Sequence, residues 1–166
     1  MSFTDAFRVL NGLKRRRIIK DYAVIGAVAA TAYMEPVFTE DIDIIVLADT
    51  DDEYRRTSRR VADLAEAQEG MHQILGGVPV QMFPSNTKPL YQDVLEYAQP
   101  VRIGSLGVKF ASAEHLILLG LEAFRVKDRI RIGELLLGAN MNLVHSLLER
   151  FDHEEGTLAR RLQELL

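Results

Sequence analysis

The 166-residue sequence contains no cysteine, which removes disulfides and thiolate metal ligation together. It has no apolar run long enough to cross a bilayer. Its opening, Met1-Ser2-Phe3-Thr4-Asp5, is polar and lacks the features of a signal peptide, so the expected location is cytoplasmic with no membrane partner. Internal repeats and low-complexity segments are missing. A formal net charge of −4 argues against a dedicated nucleic-acid binder and leaves room only for a local basic patch. The four histidines, His72, His115, His145 and His153, show no ligand spacing. His115, beside Glu114 at a helix start, reads as a satisfied or exposed histidine more readily than as a cleft residue. What remains has the length and composition of one globular domain, residues 1–166.

The chemistry concentrates between Tyr22 and Leu47. Tyr22 to Ile25 is a short apolar run, hence a buried strand that stops at Gly26. Ala27 to Tyr33 is alanine-rich and suits a helix packed closely against a sheet, and Pro36 closes it. Ile42 to Leu47 is a second strand, too apolar for the surface. Asp41 and Asp43 stand at its entry two residues apart, so on a strand both carboxylates share a face. Like charges side by side repel. Binding a divalent cation is the strongest reason to keep them, because hard cations take carboxylate oxygens.

Around this stretch the periodicities predict further elements. An amphipathic helix over 3–19 carries Phe3, Phe7, Leu10 and Leu13, is capped by Ser2 or Thr4, and is weakened near Asn11-Gly12. The basic run Lys14 to Arg17 is either a solvated helix end or a guide for a polyanion. Thr50 and Glu53 form a capping box for a helix reaching about Glu69, with Tyr54, Val61, Leu64 and Ala65 as its buried stripe. Arg55, Arg56, Arg59 and Arg60 lie on its flanks, as an exposed charged face or as phosphate contacts. Val78 to Phe83 is a third strand, confined by Pro79 to an edge or to one unpaired amide. A short helix over 89–97 and a hairpin over 101–110 follow. From Ser112 the chain is helical: a buried helix through Leu121, another over 124–137, one capped by Asn140, and a last one behind an Asp152/Glu155 capping box. Gly120, inside the buried helix, implies a close backbone.

A strand ending in glycine, a short helix, then Asp-x-Asp opening a second strand resembles the nucleotidyltransferase superfamily. The likeness is to its minimal members and to the nucleotidyltransferase toxins of bacterial abortive-infection systems. Ser112-Ala-Glu-His-Leu-Ile and Ala123-Phe-Arg-Val-Lys-Asp128 resemble the later pattern of those toxins. The resemblance implies an α/β (α+β) fold: a short mixed sheet flanked by helices in residues 1–110, and a helical half in 111–166. It implies Mg²⁺-dependent transfer of a nucleoside monophosphate from a nucleoside triphosphate to a hydroxyl on a small molecule, a protein or an RNA end. Asp41 and Asp43 would hold one or two Mg²⁺ ions; Gly26, Ala27, Thr39, Arg125 and Lys127 would hold the nucleotide. The third carboxylate of the pattern corresponds to Gln81, its helix lysine to Gly120, and an aspartate to Arg131. These departures imply an alternative, a degenerate nucleotide-binding module or one that binds an antitoxin-type protein partner.

Overall fold

The computed structural model describes residues 2–166. Among these residues seven strands form one mixed sheet: β1 (Tyr22–Ile25), β2 (Ile42–Val46), β3 (Ala67–Glu69), β4 (His72–Leu75), β5 (Val78–Pro84), β6 (Gln99–Ile103) and β7 (Leu106–Phe110), in the order β3-β4-β5-β2-β1-β7-β6. The two apolar runs read as buried strands do pair, antiparallel, with Tyr22 opposite Val46 and Ile25 opposite Asp43. β2 then runs parallel to β5, and β1 meets β7 in parallel at Val24 and Phe110. All four residues of β1 are buried, as an interior strand covered on both faces requires.

Among the described residues eight α-helices cover the sheet and build the second half: α1 (Phe3–Arg15), α2 (Gly26–Ala30), α3 (Asp51–Leu64), α4 (Pro89–Glu96), α5 (Ala113–Ala123), α6 (Val126–Leu136), α7 (Met141–Phe151) and α8 (Thr157–Leu165). No described helix is long and apolar enough to cross a membrane. α1 is capped by Ser2, whose hydroxyl accepts from the Asp5 amide, and it passes through Gly12 without a break. It stops at Arg15, four residues before the predicted end. Arg17 takes a left-handed conformation (φ 59°), and the Ile18 and Ile19 amides both return to the Leu13 carbonyl, turning two buried isoleucines into the core. α2 is likewise shorter than predicted, its last turn giving way to turns over 31–33.

The largest departure follows α3. The helix ends at Leu64, which is exposed rather than part of the buried stripe, and residues 67–69 form a strand instead of a last helical turn. β3 and β4 make a hairpin that adds to β5, so β5 is interior and Pro79 takes the second of its two permitted roles, an unpaired amide. β3 is exposed at every position, so its sequence carries no burial pattern and helix-favouring residues mask it. Phe124 also departs: it closes α5 in a left-handed conformation (φ 49°) instead of opening α6. At Gly120 the close neighbour is a side chain, not a backbone; an added Cβ would lie 3.0 Å from the Ile132 Cδ1. α8 starts at Thr157 behind Gly156, and the predicted capping box is absent. Asp152 alone serves the helix start, its carboxylate accepting from the Leu158 and Ala159 amides.

Candidate active site

The strand registers place four side chains in a row on one face of the sheet. Ile25 lies opposite Asp43, Asp43 opposite Gln81, and Gln81 opposite His72. Directly opposed residues share a face, so Gln81 neighbours Asp43 laterally. Asp41, one step before β2, follows Asp43 by the period of two and is half exposed; its Oδ2 lies 3.5 Å from the His72 Nε2. Thr39 donates its hydroxyl to the Asp41 carbonyl at 3.3 Å, fixing the approach to β2.

Gly26 meets Asp43 directly. It has φ +69°, and a Cβ built there would stand 2.9 Å from the Asp43 Oδ2. Both the backbone and the space therefore require glycine, while Ala27 sits half-buried behind it in α2. Burial, and then the charge of Asp41, push the Asp43 carboxyl above the usual carboxylate range, against the pull of His72, Lys127 and Arg125.

In front of Gly26 and Asp43 opens a cavity of about 460 Å³. Its walls are Phe83 and Tyr91, packed edge to face at 6.3 Å, and the α5 residues Leu116, Leu119 and Gly120. Its charged residues besides Asp43 are Lys88, Glu122, Arg125, Asp128 and Arg131. Lys88 reaches toward Glu122 at 3.9 Å and lies 4.9 Å over the Tyr91 ring.

The start of α6 organises the far wall. Asp128 is buried at 2% exposure; its carboxylate accepts from the Arg125 amide at 3.0 Å and from the Arg125 Nε at 2.7 Å, while the Arg131 Nη1 stands 3.8 Å away. One buried carboxylate thus holds two arginines, leaving this corner net positive. Arg131 is mostly buried and its Nε has no partner. Burial lowers its pKa, with Asp128 opposing. Arg131 also lines the cavity, which puts its guanidinium within reach of a bound anion.

Of the residues singled out from sequence, the cavity brings together Gly26, Asp43 and Arg125. Arg125 makes the ion pair with Asp128 and lines the cavity as well, so the two readings of that residue do not compete. Asp41 and Gln81 stand beside the cavity in the Asp43 row, Thr39 behind Asp41, and Lys127 is exposed outside the lining with its charge bearing on Asp43. Sequence reading overlooked His72, Lys88, Glu122 and Arg131 as site residues. The spacing of Arg131 from Asp128, one helical turn, is the signal that points to it. His115 lies elsewhere, buried, its Nε2 2.7 Å from Asp93 and its Nδ1 2.6 Å from the Ser112 hydroxyl.

Among the described residues no three His, Asp or Glu side chains converge as a metal cage. Two carboxylates do fit Mg²⁺, which keeps several waters and is commonly held by one or two carboxylates with substrate phosphates.

No protein-family model matches the chain, and no curated protein does. Solved structures are similar to it over nearly its whole length. An antigenic nucleotidyltransferase-like protein from Paracoccidioides brasiliensis is 17% identical, with a TM-score of 0.60 over 94% of this chain and 91% of that one. ANT(2")-Ia in complex with adenylyl-2"-tobramycin is 11% identical, with a TM-score of 0.54 over 96% of each chain. The same antibiotic-resistance factor in solution is 13% identical, with a TM-score of 0.57 over 99% of this chain and all of that one. At these identities the likeness is one of architecture, and it agrees with the strand, glycine, helix and Asp-x-Asp order of the site: the chain has the nucleotidyltransferase fold.

Proposed function

We propose that this protein is a nucleotidyltransferase that moves a nucleoside monophosphate from a Mg²⁺-bound nucleoside triphosphate to a hydroxyl. The observation that carries the reading is the contact of Gly26 with Asp43 at the edge of a cavity whose opposite wall is cationic. A strand end with an obligatory glycine lets phosphate approach a carboxylate more closely than any side chain would allow. Asp41 and Asp43 hold the metal; Arg125 and Arg131, braced on Asp128, take the phosphate tail; Lys127 adds charge at the rim; and the amides of Gly26 and Ala27, with Thr39 steadying Asp41, complete the cradle. Phe83 and Tyr91 supply apolar surface for a base or sugar.

In the reaction the acceptor oxygen bonds to the α-phosphorus, the bond to pyrophosphate breaks, and the hydroxyl proton goes to solvent. When bound, Mg²⁺ (one ion or two) neutralises charge on the phosphates and aligns the acceptor. Gln81, beside Asp43, offers an amide that can position the acceptor hydroxyl but cannot take its proton. General-base help is typically worth about a hundredfold to ten-thousandfold, so slow turnover is expected.

The same rung supports a second reading. An amide opposite Asp43 is what a nucleotide-binding module without turnover would carry, and such a module could serve an antitoxin-type partner. Titration calorimetry with nucleoside triphosphate, with and without Mg²⁺, tests the shared premise. Metal-dependent binding that Asp41→Asn and Asp43→Asn remove supports the site, and equal binding by wild type and both variants overturns it. Release of pyrophosphate with a panel of small-molecule, protein and RNA acceptors, an aminoglycoside such as that of the ANT(2")-Ia complex included, then separates enzyme from module.

A further inference from the structure

The corner between α5 and α6 carries the cationic wall of the cavity, and its backbone holds an unfavourable shape. Phe124 closes α5 at φ 49° and ψ 34°. Bulky residues rarely adopt this left-handed conformation, which glycine usually supplies at a helix end. The next residue is Arg125, the N-cap of α6 and part of the cavity lining. The direction in which the Arg125 side chain leaves the backbone is therefore set by the turn at Phe124.

Two arginines hold that turn from outside. Glu122, Ala123 and Arg125 line the cavity, whereas Phe124, Arg129 and Arg161 do not. The Arg129 guanidinium lies 4.4 Å over the Phe124 ring and that of Arg161 5.0 Å over it. Arg161 does more. Its Nη1 donates to the Leu121 carbonyl at 2.6 Å and to the Glu122 carbonyl at 3.0 Å. Both belong to the last turn of α5, whose carbonyls lack partners within the helix. The Phe124 amide closes the same turn on the Gly120 carbonyl at 2.7 Å.

Arg161 comes from α8, which Leu158 and Leu162, both fully buried, seat against the core. The brace is thus anchored at its own end. Glycine at 124 would relax the backbone but leave the two guanidinium groups no ring to lie over. The clamp accounts for a phenylalanine where a glycine would fit more easily.

We propose that Arg161, remote in sequence and outside the cavity, is a positioning residue for the phosphate tail: it holds the α5–α6 corner so that Arg125 faces the nucleotide. The role rests on the nucleotide site proposed above and acts through Arg125, not on the ligand directly.

Calorimetry with Mg²⁺ and each common nucleoside triphosphate selects the one that binds tightest, and its own monophosphate serves as the control without a tail. Circular dichroism melts confirm that each variant is folded. Arg161→Ala should weaken the triphosphate roughly tenfold, about what one charged hydrogen bond contributes, and shift the monophosphate little. Arg161→Lys keeps the charge and can still donate to a carbonyl, so it should fall between. Phe124→Gly removes the clamp by another route; it should repeat the Arg161→Ala result, and it replaces that variant if Arg161→Ala does not fold. Added to Arg125→Ala, Arg161→Ala should weaken the triphosphate no further, because a residue acting through Arg125 then has nothing to position. Equal losses for both nucleotides, additive losses in the Arg125→Ala background, or unchanged triphosphate binding overturn the proposal and leave the nucleotide site standing. A wild type that binds no Mg²⁺-triphosphate overturns the nucleotide site itself, and this role with it.

Discussion

Replacing Gly26 by alanine should separate the stability and the function of the site. The residue has φ +69°, where an alanine costs about 1–2 kcal/mol. The new Cβ would sit 2.9 Å from the Asp43 Oδ2 but 3.5 Å from its Cβ, so the carboxylate tip must swing away while the strand can stay. Stability should therefore fall only by the backbone amount, a loss of roughly 2–8 °C in melting temperature for a chain of this size. Binding of Mg²⁺-nucleotide should fall far more, because the displaced oxygen is the proposed metal ligand. Gly104→Ala is the matched control, at φ +60° with nothing within 4 Å. It should lose similar stability and keep binding. Thermal denaturation of both variants, followed by calorimetry at a temperature where each is folded, reads the two effects apart. If Gly26→Ala binds like wild type, or if Gly104→Ala loses binding as well, the close approach at Asp43 is not what holds the nucleotide.

Asp43→Asn should stabilise the metal-free protein near neutral pH while removing Mg²⁺-nucleotide binding. The folded carboxyl keeps its proton to a higher pH than the unfolded one, whose pKa is about 3.9, so its ionisation is a cost present above the raised folded pKa and relieved as pH falls back through that window. Urea denaturation from acid to neutral pH should show the advantage of the variant shrinking toward the acid end, and a constant or reversed difference would contradict the buried, repelled carboxylate. Gln81→Glu and Gln81→Asp, made together to separate charge from reach, should lower metal-free stability, steepen the Mg²⁺ dependence of binding, and raise turnover where any is measured. No change in Mg²⁺ affinity in either would show that Gln81 does not face the metal. Asp93→Ala should cost about 3 kcal/mol, because it leaves His115 buried at 2% exposure without its 2.7 Å partner and frees Arg150. Chemical denaturation should show that loss with nucleotide affinity intact, which distinguishes this network from the active site.

Local sequence determined the elements whose chemistry is self-contained. Tyr22–Ile25 and Ile42–Val46 are strands because runs so apolar have nowhere else to go, and Asp41 and Asp43 share a face because the strand period is two. Caps at Ser2, Thr50, Ser112 and Asn140 are legible for the same reason: each hydroxyl or amide serves an amide three residues on. The β3–β4 hairpin was not legible. Its outer strand buries nothing and exists only because β4 lends it an edge, a pairing of residues that no local pattern records. The same holds for the site. Glycine at 26 is visible in the sequence, but its reason, a carboxylate oxygen 2.9 Å from the missing Cβ, arises only when β1 and β2 pair. Arg131 read as a lost acid until packing turned it toward Asp128, where it lines the cavity and its buried Nε has no partner. Residue type sets which charges and shapes are present; which of them meet is decided by strand register and by the angle at which α6 leaves Phe124, and those are properties of the whole chain.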